Sequence, residues 1–319
     1  MACDQKVKLS VVVTTFNRAR QLDYTLDSLF HQTRQPDELI VSDDCSPDGT
    51  PEVAARWGSR FQNYIYSRNE RNLYMPGNLN VAIARARGTY IANLHDADAF
   101  DSTLLEKWEQ ALDSHPTAGL AFCGGCSASD NPGSDKVFGS DAAPCTPGRE
   151  FFRRYFVGAW GSPIWGTVIA RRSAYAELGS FDPYFGFVSD VDMWMRFCGR
   201  FDIAYVAEPL LILDNEAKLE RRFKWRKLLI ENEMAVTNIR RLYAPSEANF
   251  KSAIERQKSS LRARFARHVL GRVRHNDWAG FREGLSLFRQ IFVTGTMTNV
   301  WSGKGDLNGN VPFGFPDRG

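Results

Sequence analysis

The sequence predicts an α/β fold, a mainly parallel sheet flanked by helices, with a helical C-terminal extension. Three observations predict it. Runs of β-forming residues alternate with helical-period segments over the first ~125 residues, the pattern of right-handed crossovers onto a parallel sheet. Polar clusters follow three of those runs directly, where such sheets bind ligands. The final third changes to long, basic, helical-period sequence.

The elements follow in order. Lys8–Thr15 reads as a strand, with Val11, Val12 and Val13 buried on both faces. Arg18–Gln32 carries Leu22, Leu26, Leu29 and Phe30 at helical spacing. Glu38–Ser42 is a second strand, ended by the turn sequence Asp43-Asp44-Cys45-Ser46-Pro47-Asp48-Gly49. Pro51–Trp57 is a short helix and Tyr64–Tyr66 a third strand. Pro76 opens a helix that runs to Ala86, proline being favoured in a first turn. Thr89–Ala92 is a fourth strand, Ser102–Ser114 a helix and Gly119–Cys123 a further strand.

Ser127–Gly148 is rich in Ser, Asp, Gly and Pro and reads as a surface loop or lid. Glu150–Phe156 is expected to be helical, Ile164–Ala170 and Ile203–Leu213 to be strands. Between them Ser189-Asp190-Val191-Asp192 leads into Met193, Trp194 and Phe197 at helical spacing. The domain division that results is 1–215, with halves 1–125 and 126–215, then a helical region 216–302 and a loose tail 303–319. No internal repeat is present.

Composition narrows the function classes. The 319 residues are 43% hydrophobic and 24% charged, ordinary values for a globular protein with a sizeable core. A net charge of +3 is too mild to imply nucleic acid. No run approaches the ~18 apolar residues of a membrane span, and the start lacks a signal-peptide core. Six cysteines in so long a chain are no disulfide scaffold. Cys123 and Cys126 form a CxxC without a second pair for zinc, and read as incidental reduced thiols. A cytoplasmic protein is the simplest expectation.

Asn93-Leu94-His95-Asp96-Ala97-Asp98 carries the most chemistry. Its two carboxylates stand where a strand gives way to a loop. With Asp101 as a third acid, these hard oxygen donors suit Mg²⁺ or Mn²⁺ held against a diphosphate. A solvated, Asp-rich turn is the alternative on this segment alone.

Taken in order, these segments resemble the family 2 glycosyltransferases, whose GT-A fold is a Rossmann-like mixed sheet. The matching stretches are Val11–Arg18, Leu39–Thr50, Asp96-Ala97-Asp98 as the DxD motif, Gly166–Arg172, Leu178–Asp182 and Asp190–Arg196. The resemblance covers about Lys8 to Leu213 and says little of the C-terminal third. Three positions depart from it. Ala99 stands where a further Asp is common, Ser189 where Glu often precedes the base, and Leu213-Asp214-Asn215-Glu216 lacks the usual histidine. Water or Asp214 is then left to complete a metal site.

The resemblance implies inverting transfer of a sugar from a UDP-sugar, or a dTDP-sugar with the same hydrogen-bonding edge, to a glycan or lipid-linked acceptor. It implies a divalent cation on Asp98, assisted by Asp96, to stabilise the leaving diphosphate. Asp190 aligns with the general base and Asp192 is the second candidate. At a helix start the dipole is expected to lower the pKa of Asp190; an N-cap role is the alternative. Asp43 is implied to bind the uracil, with Thr14 and Phe16 lining the same pocket. Asp44 is placed either there or in the turn, while Arg71, Asn72 and Asn78 are candidates for ribose or phosphate. Trp160, Trp165 and Trp194 suit sugar recognition, Trp165 foremost, although a place in the core is the commoner role for an indole.

Two rival classes remain at this level. A sugar nucleotidylyltransferase would need a Gly-rich basic loop after the first strand, and Thr14–Arg18 contains no glycine. A non-catalytic nucleotide-sugar-binding protein has no need of both acidic groups. Between Lys218 and His275 sixteen Lys/Arg face five Asp/Glu. With Phe223, Trp225, Leu228 and Leu229 beside Arg222, Lys224, Arg226 and Lys227, that segment is either a peripheral contact with an anionic membrane or a solvated helical face.

Overall fold

A computed structural model describes residues 7–127, 141–159, 161–213 and 225–294. Two compact units emerge from its contacts: Met1–Phe151 with Pro163–Glu220, and Phe152–Ser162 with Arg221–Gly319. Trp160, Asp214, Asn215, Phe223, the tail 303–319 and most of the expected lid lie outside the described residues.

The first unit alternates strand and helix as the sequence implies. Its elements are β1 (Leu9–Thr15), α1 (Ala19–Phe30), β2 (Glu38–Asp43), α2 (Thr50–Trp57), β3 (Tyr64–Arg68), α3 (Tyr74–Arg85), β4 (Tyr90–His95), β5 (Asp98–Phe100), α4 (Leu104–Ser114) and β6 (Ala118–Ser127). There follow β7 (Cys145–Thr146), α5 (Gly148–Tyr155), whose residues from Phe152 on are counted with the second unit, β8 (Val168–Arg171), α6 (Arg172–Leu178), α7 (Ser189–Cys198) and β9 (Asp202–Leu213). The sheet order is β3-β2-β1-β4-β8-β6-β9-β5, with β7 beside β9. The first four strands in that order are parallel. β8 then enters antiparallel to both β4 and β6, and β6 pairs parallel with β9.

Helix formation here follows the apolar period. α1 buries Leu22, Thr25, Leu26 and Leu29, spaced so that one face meets the sheet. Those leucines join Val11, Val13, Leu39, Val41 and Trp108 in one core. Asp48 Oδ2 accepts the Ala19 N–H at 3.0 Å, satisfying a donor at the α1 N-terminus. The buried Glu38 carboxylate accepts from Ser10 Oγ at 2.6 Å and Arg87 Nε at 2.7 Å, so its charge is paired.

Three local expectations are corrected. The strand expected from Ile164 starts only at Val168, because the Asn93 Nδ2 takes the Gly166 carbonyl at 2.7 Å in place of a ladder partner. β5 was not expected; three residues beside an acidic turn carry too little pattern, yet the far end of the twelve-residue β9 pairs with them. Asp101 is no third metal acid. Its Oδ1 accepts from Thr103 N (2.9 Å) and Thr103 Oγ1 (2.6 Å), capping the approach to α4.

The second unit contains α8 (Trp225–Leu242), α9 (Ala248–Arg274) and α10 (Trp278–Phe288), which widens into a π-type turn over Arg289–Val293. Leu228, Leu229, Leu261, Phe265, Val269 and Ile291 form its core. This corrects the amphipathic reading of Leu228 and Leu229, which are buried between helices and not offered outward. Glu231 of α8 is ion-paired with Arg264 of α9, and Gln257 Nε2 donates to the Asn232 Oδ1 at 3.0 Å. Among the described residues no helix is long and apolar enough to cross a membrane.

Candidate active site

Strand register assembles the site. In the parallel pairing β1–β2, Thr15 stands beside Asp43; in β1–β4, Thr14 stands beside His95. The three polar clusters of the sequence therefore share the carboxyl edge of one sheet. Thr14 is half-buried there, and Phe16 leaves the strand with 41% of its surface exposed. An exposed ring at a ligand-binding edge is available for stacking, so Phe16 is no core residue.

Asp43 is fully buried, with both carboxylate oxygens engaged. Tyr66 Oη donates to its Oδ2 at 2.6 Å and Ser46 N to its Oδ1 at 2.9 Å, with Arg68 Nε 3.4 Å from Oδ2. Burial and the adjacent carboxylate push the Tyr66 hydroxyl well above its ordinary pKa, so it stays a donor. Arg68 also donates to the Ser46 carbonyl at 2.9 Å, bracing the turn. Asp44 Oδ1 accepts from Asn69 Nδ2 (2.9 Å) and Leu73 N (2.8 Å), which ties down the following loop. Asn78 is equally committed: its Oδ1 accepts from Ser42 Oγ at 2.6 Å and its Nδ2 donates to the Ser42 carbonyl at 2.9 Å. Arg71 is exposed and Asn72 accepts from Tyr74 N at 2.7 Å.

The two motif carboxylates are held differently. Asp96 Oδ1 accepts from Arg18 Nη1 at 2.9 Å, an ion pair between the ends of β4 and β1. Asp98 begins β5, and Thr25 of α1 fixes its carbonyl with a 2.6 Å bond. Its Oδ2 lies 3.8 Å from His95 Nδ1. Among the described residues no three His, Cys, Asp or Glu side chains converge on a metal-sized point. Two hard carboxylates, the motif's acids among the described residues, fit Mg²⁺ or Mn²⁺, which commonly take one or two carboxylates and fill the remainder with substrate phosphate and water.

Asp190 lies in the first turn of α7, whose N-cap is Val188, so Asp190 is not the cap. Its Oδ1 accepts from Val191 N at 2.7 Å. Burial raises its carboxyl above the ordinary carboxylate range; the Val191 N–H and the nearby His95 act the other way. This corrects the expected dipole-lowered acidity, since desolvation outweighs the helix terminus. Asp192 has no exposed surface, and its Oδ2 lies 3.0 Å from Arg196 Nε. Arg196 in turn donates to the Leu178 and Ser180 carbonyls, both at 2.8 Å. Asp192 is thereby engaged with Arg196, and of the two acids it is Asp190 that reaches the space beside Gly166.

Sequence reasoning missed His95 and Gly166 as a pair. A β-carbon on Gly166 would lie 2.3 Å from His95 Nε2 and Cε1 and 3.3 Å from Asp190 Oδ2. The imidazole thus fills the space that a side chain would take, beside Asp98 on one side and toward Asp190 on the other. A glycine inside an expected strand was the available signal. Trp165 is 40% exposed next to this point, whereas Trp194 is fully buried against Phe181 and Phe197. Cys123 and Cys126 belong to β6; burial drives the Cys123 thiol up in pKa and keeps it inert.

Residues 10–164, just under half of the chain, match the family described as Glycosyl transferase family 2. Putative glycosyltransferase EpsE of Bacillus subtilis is 29% identical over 200 residues, covering 60% of this chain and 66% of its own length. A Campylobacter jejuni GalNAc(5)-diNAcBac-PP-undecaprenol beta-1,3-glucosyltransferase is 35% identical over 105 residues, 31% of this chain and 34% of that protein. The alignments therefore span less than two thirds of these relatives. The crystal structure of S. aureus TarS 1-349 with UDP-GlcNAc superposes with a TM-score of 0.61 at 16% identity, covering 89% of this chain and 92% of that one. It has the same fold.

Proposed function

We propose that the chain is a family 2 glycosyltransferase, in keeping with the family match over residues 10–164, and that it moves a sugar from a UDP- or dTDP-sugar to an acceptor hydroxyl with inversion. The observation that carries this reading is the approach of Asp190 to the His95–Asp98 edge at Gly166. A group that accepts a proton and a pair that faces a diphosphate then flank one space.

In the proposed step the acceptor oxygen attacks the anomeric carbon, and the bond from that carbon to the diphosphate oxygen breaks. The electron pair leaves with the diphosphate. The acceptor proton passes to Asp190, whose raised affinity for protons suits a general base near neutral pH. Asp98 and Asp96 would hold a Mn²⁺ or Mg²⁺ ion, which supplies Lewis-acid stabilisation to the departing charge. Arg18 pairs with Asp96 at 2.9 Å and adds a cation at the same edge. Asp43, braced by Tyr66 and Arg68, orients the base, and Phe16 and Thr14 line its pocket. Asp44, Asn78 and Arg71 serve the donor site indirectly or at its rim.

The proposed catalytic domain is 1–215, with 216–302 as a helical region and 303–319 as a tail. The acceptor is a glycan or a lipid-linked glycan in polysaccharide or glycoconjugate synthesis at the cytoplasmic side of a membrane. The named substrate of the Campylobacter relative supports a polyprenyl-diphosphate carrier. A panel of nucleotide sugars, each incubated with Mn²⁺, tests the reading. One nucleotide class should release its diphosphate in a metal-dependent way. Release from none, or exchange of pyrophosphate instead, would contradict it.

A further inference from the structure

We propose that the outward face of α10 is a contact surface for an anionic lipid bilayer. Trp278, Arg282, Leu285, Arg289 and Val293 follow one another at intervals of four, three, four and four residues. At 3.6 residues per turn Trp278, Arg282 and Leu285 form a single stripe along α10, and the wider π-type turn carries Arg289 and Val293 on from it at intervals of four. All five are exposed, with Trp278 at 53%, Leu285 at 45% and Val293 at 69%. The opposite side is occupied: Phe281, Leu287, Phe288 and Ile291 pack into the second unit's core. Trp278 touches that packed side through an edge-on contact with Phe281 at 6.0 Å, and still leaves half of its surface exposed.

Its composition identifies the occupant. Large apolar residues alternate with arginines along one line. A protein interface has a broad apolar core inside a polar rim, and a single line of residues does not supply one. A bilayer surface instead offers headgroup charge and acyl chains at nearly one depth, so both residue types are satisfied side by side. Trp is favoured at that depth, and an arginine buries its stem while its guanidinium stays among phosphates. The acid at the helix start, Asp277, is already paired with Arg272 at 2.8 Å and accepts from Gly280 N. Glu283, the acid within α10, falls off the stripe by its spacing. On α9, Leu270 is 62% exposed between Arg267 and Arg274 and repeats the pattern.

This surface stands independently of the transfer reading, and the two are tested separately. The full chain is sedimented with vesicles of phosphatidylglycerol and phosphatidylcholine, and with phosphatidylcholine alone, at low and high salt. The expected result is binding to the anionic vesicles that weakens with salt. Arg282→Glu with Arg289→Glu should weaken it by at least about thirtyfold, taking roughly 1 kcal/mol for each basic residue at such a surface. Trp278→Ser with Leu285→Ser should weaken it by about tenfold. Circular dichroism and donor hydrolysis, unchanged in both variants, certify the fold and leave the transfer reading intact. Hydrogen exchange of the unmodified chain gives a second readout, with vesicles protecting peptides across 278–294. The proposal is overturned by absence of binding at low salt, by equal binding to both vesicle types, by binding that the variants leave unchanged, or by protection confined elsewhere.

Discussion

The His95 ring packs against the bare backbone of Gly166, and a β-carbon there would stand 2.3 Å from the imidazole. Such an approach is closed to every residue but glycine. Gly166→Ala should displace His95 from between Asp98 and Asp190 and lower kcat by about 10²-fold, the scale of a misplaced active-site group. Overpacking should cost about 1–3 kcal/mol of stability. Adding His95→Ala to that variant should restore the stability without restoring kcat. Thermal unfolding and steady-state rates on the two variants check this. An unaffected kcat in Gly166→Ala would remove His95 from the site.

Asp190 and Asp192 should part company when each is replaced by Asn. Asp192 is a buried partner of Arg196, and breaking such a pair costs about 3–5 kcal/mol. Asp192→Asn is expected to unfold at much lower denaturant, with kcat of the remaining folded protein little changed. A fully stable Asp192→Asn would show that the pair contributes nothing.

Asp190 makes a prediction of opposite sign. Its folded pKa is raised by burial, so the stability it contributes is present below its unfolded pKa and lost as pH rises through the folded value. At neutral pH its buried charge opposes folding. Asp190→Asn should therefore be more stable than the parent at pH 7, and the gain should vanish as the pH falls below the ordinary aspartate range. Denaturation midpoints across that range measure it. A variant less stable than the parent at pH 7 would mean that the carboxylate is held by stronger favourable contacts than burial opposes.

Asp43 should reveal itself in binding. It faces the edge with Tyr66 and Arg68 attached, contacts that do not change along the reaction. Asp43→Asn should raise the donor KM by about tenfold or more, as expected for loss of a charged hydrogen bond, and leave kcat within a few-fold. Isothermal titration with UDP gives the same comparison without turnover. A loss confined to kcat would contradict the role.

Much of this arrangement was legible in the chain. Val11–Val13, the α1 leucines and the turn after Ser42 announce strand, helix and ligand edge by period and position alone. What stayed hidden depends on long-range approach. Nothing local to Asp192 says that Arg196 will seal it, because the same spacing on an exposed helix would be a solvated pair. His95 and Gly166, which stand close to Asp190, likewise come from far away in sequence. His95 is inconspicuous in the sequence because its partner is Gly166, a residue with no side chain to mark the contact. Leu228 and Leu229 looked outward-facing beside their basic neighbours until α9 covered them.

The central claim is that Asp190 takes the acceptor's proton at an edge where Asp96 and Asp98 face the diphosphate. Turnover of Asp190→Asn, measured with saturating donor, acceptor and Mn²⁺, tests it most directly. The account predicts a fall in kcat of about 10²-fold or more with donor KM nearly unchanged. A variant that turns over within a few-fold of the parent would contradict it.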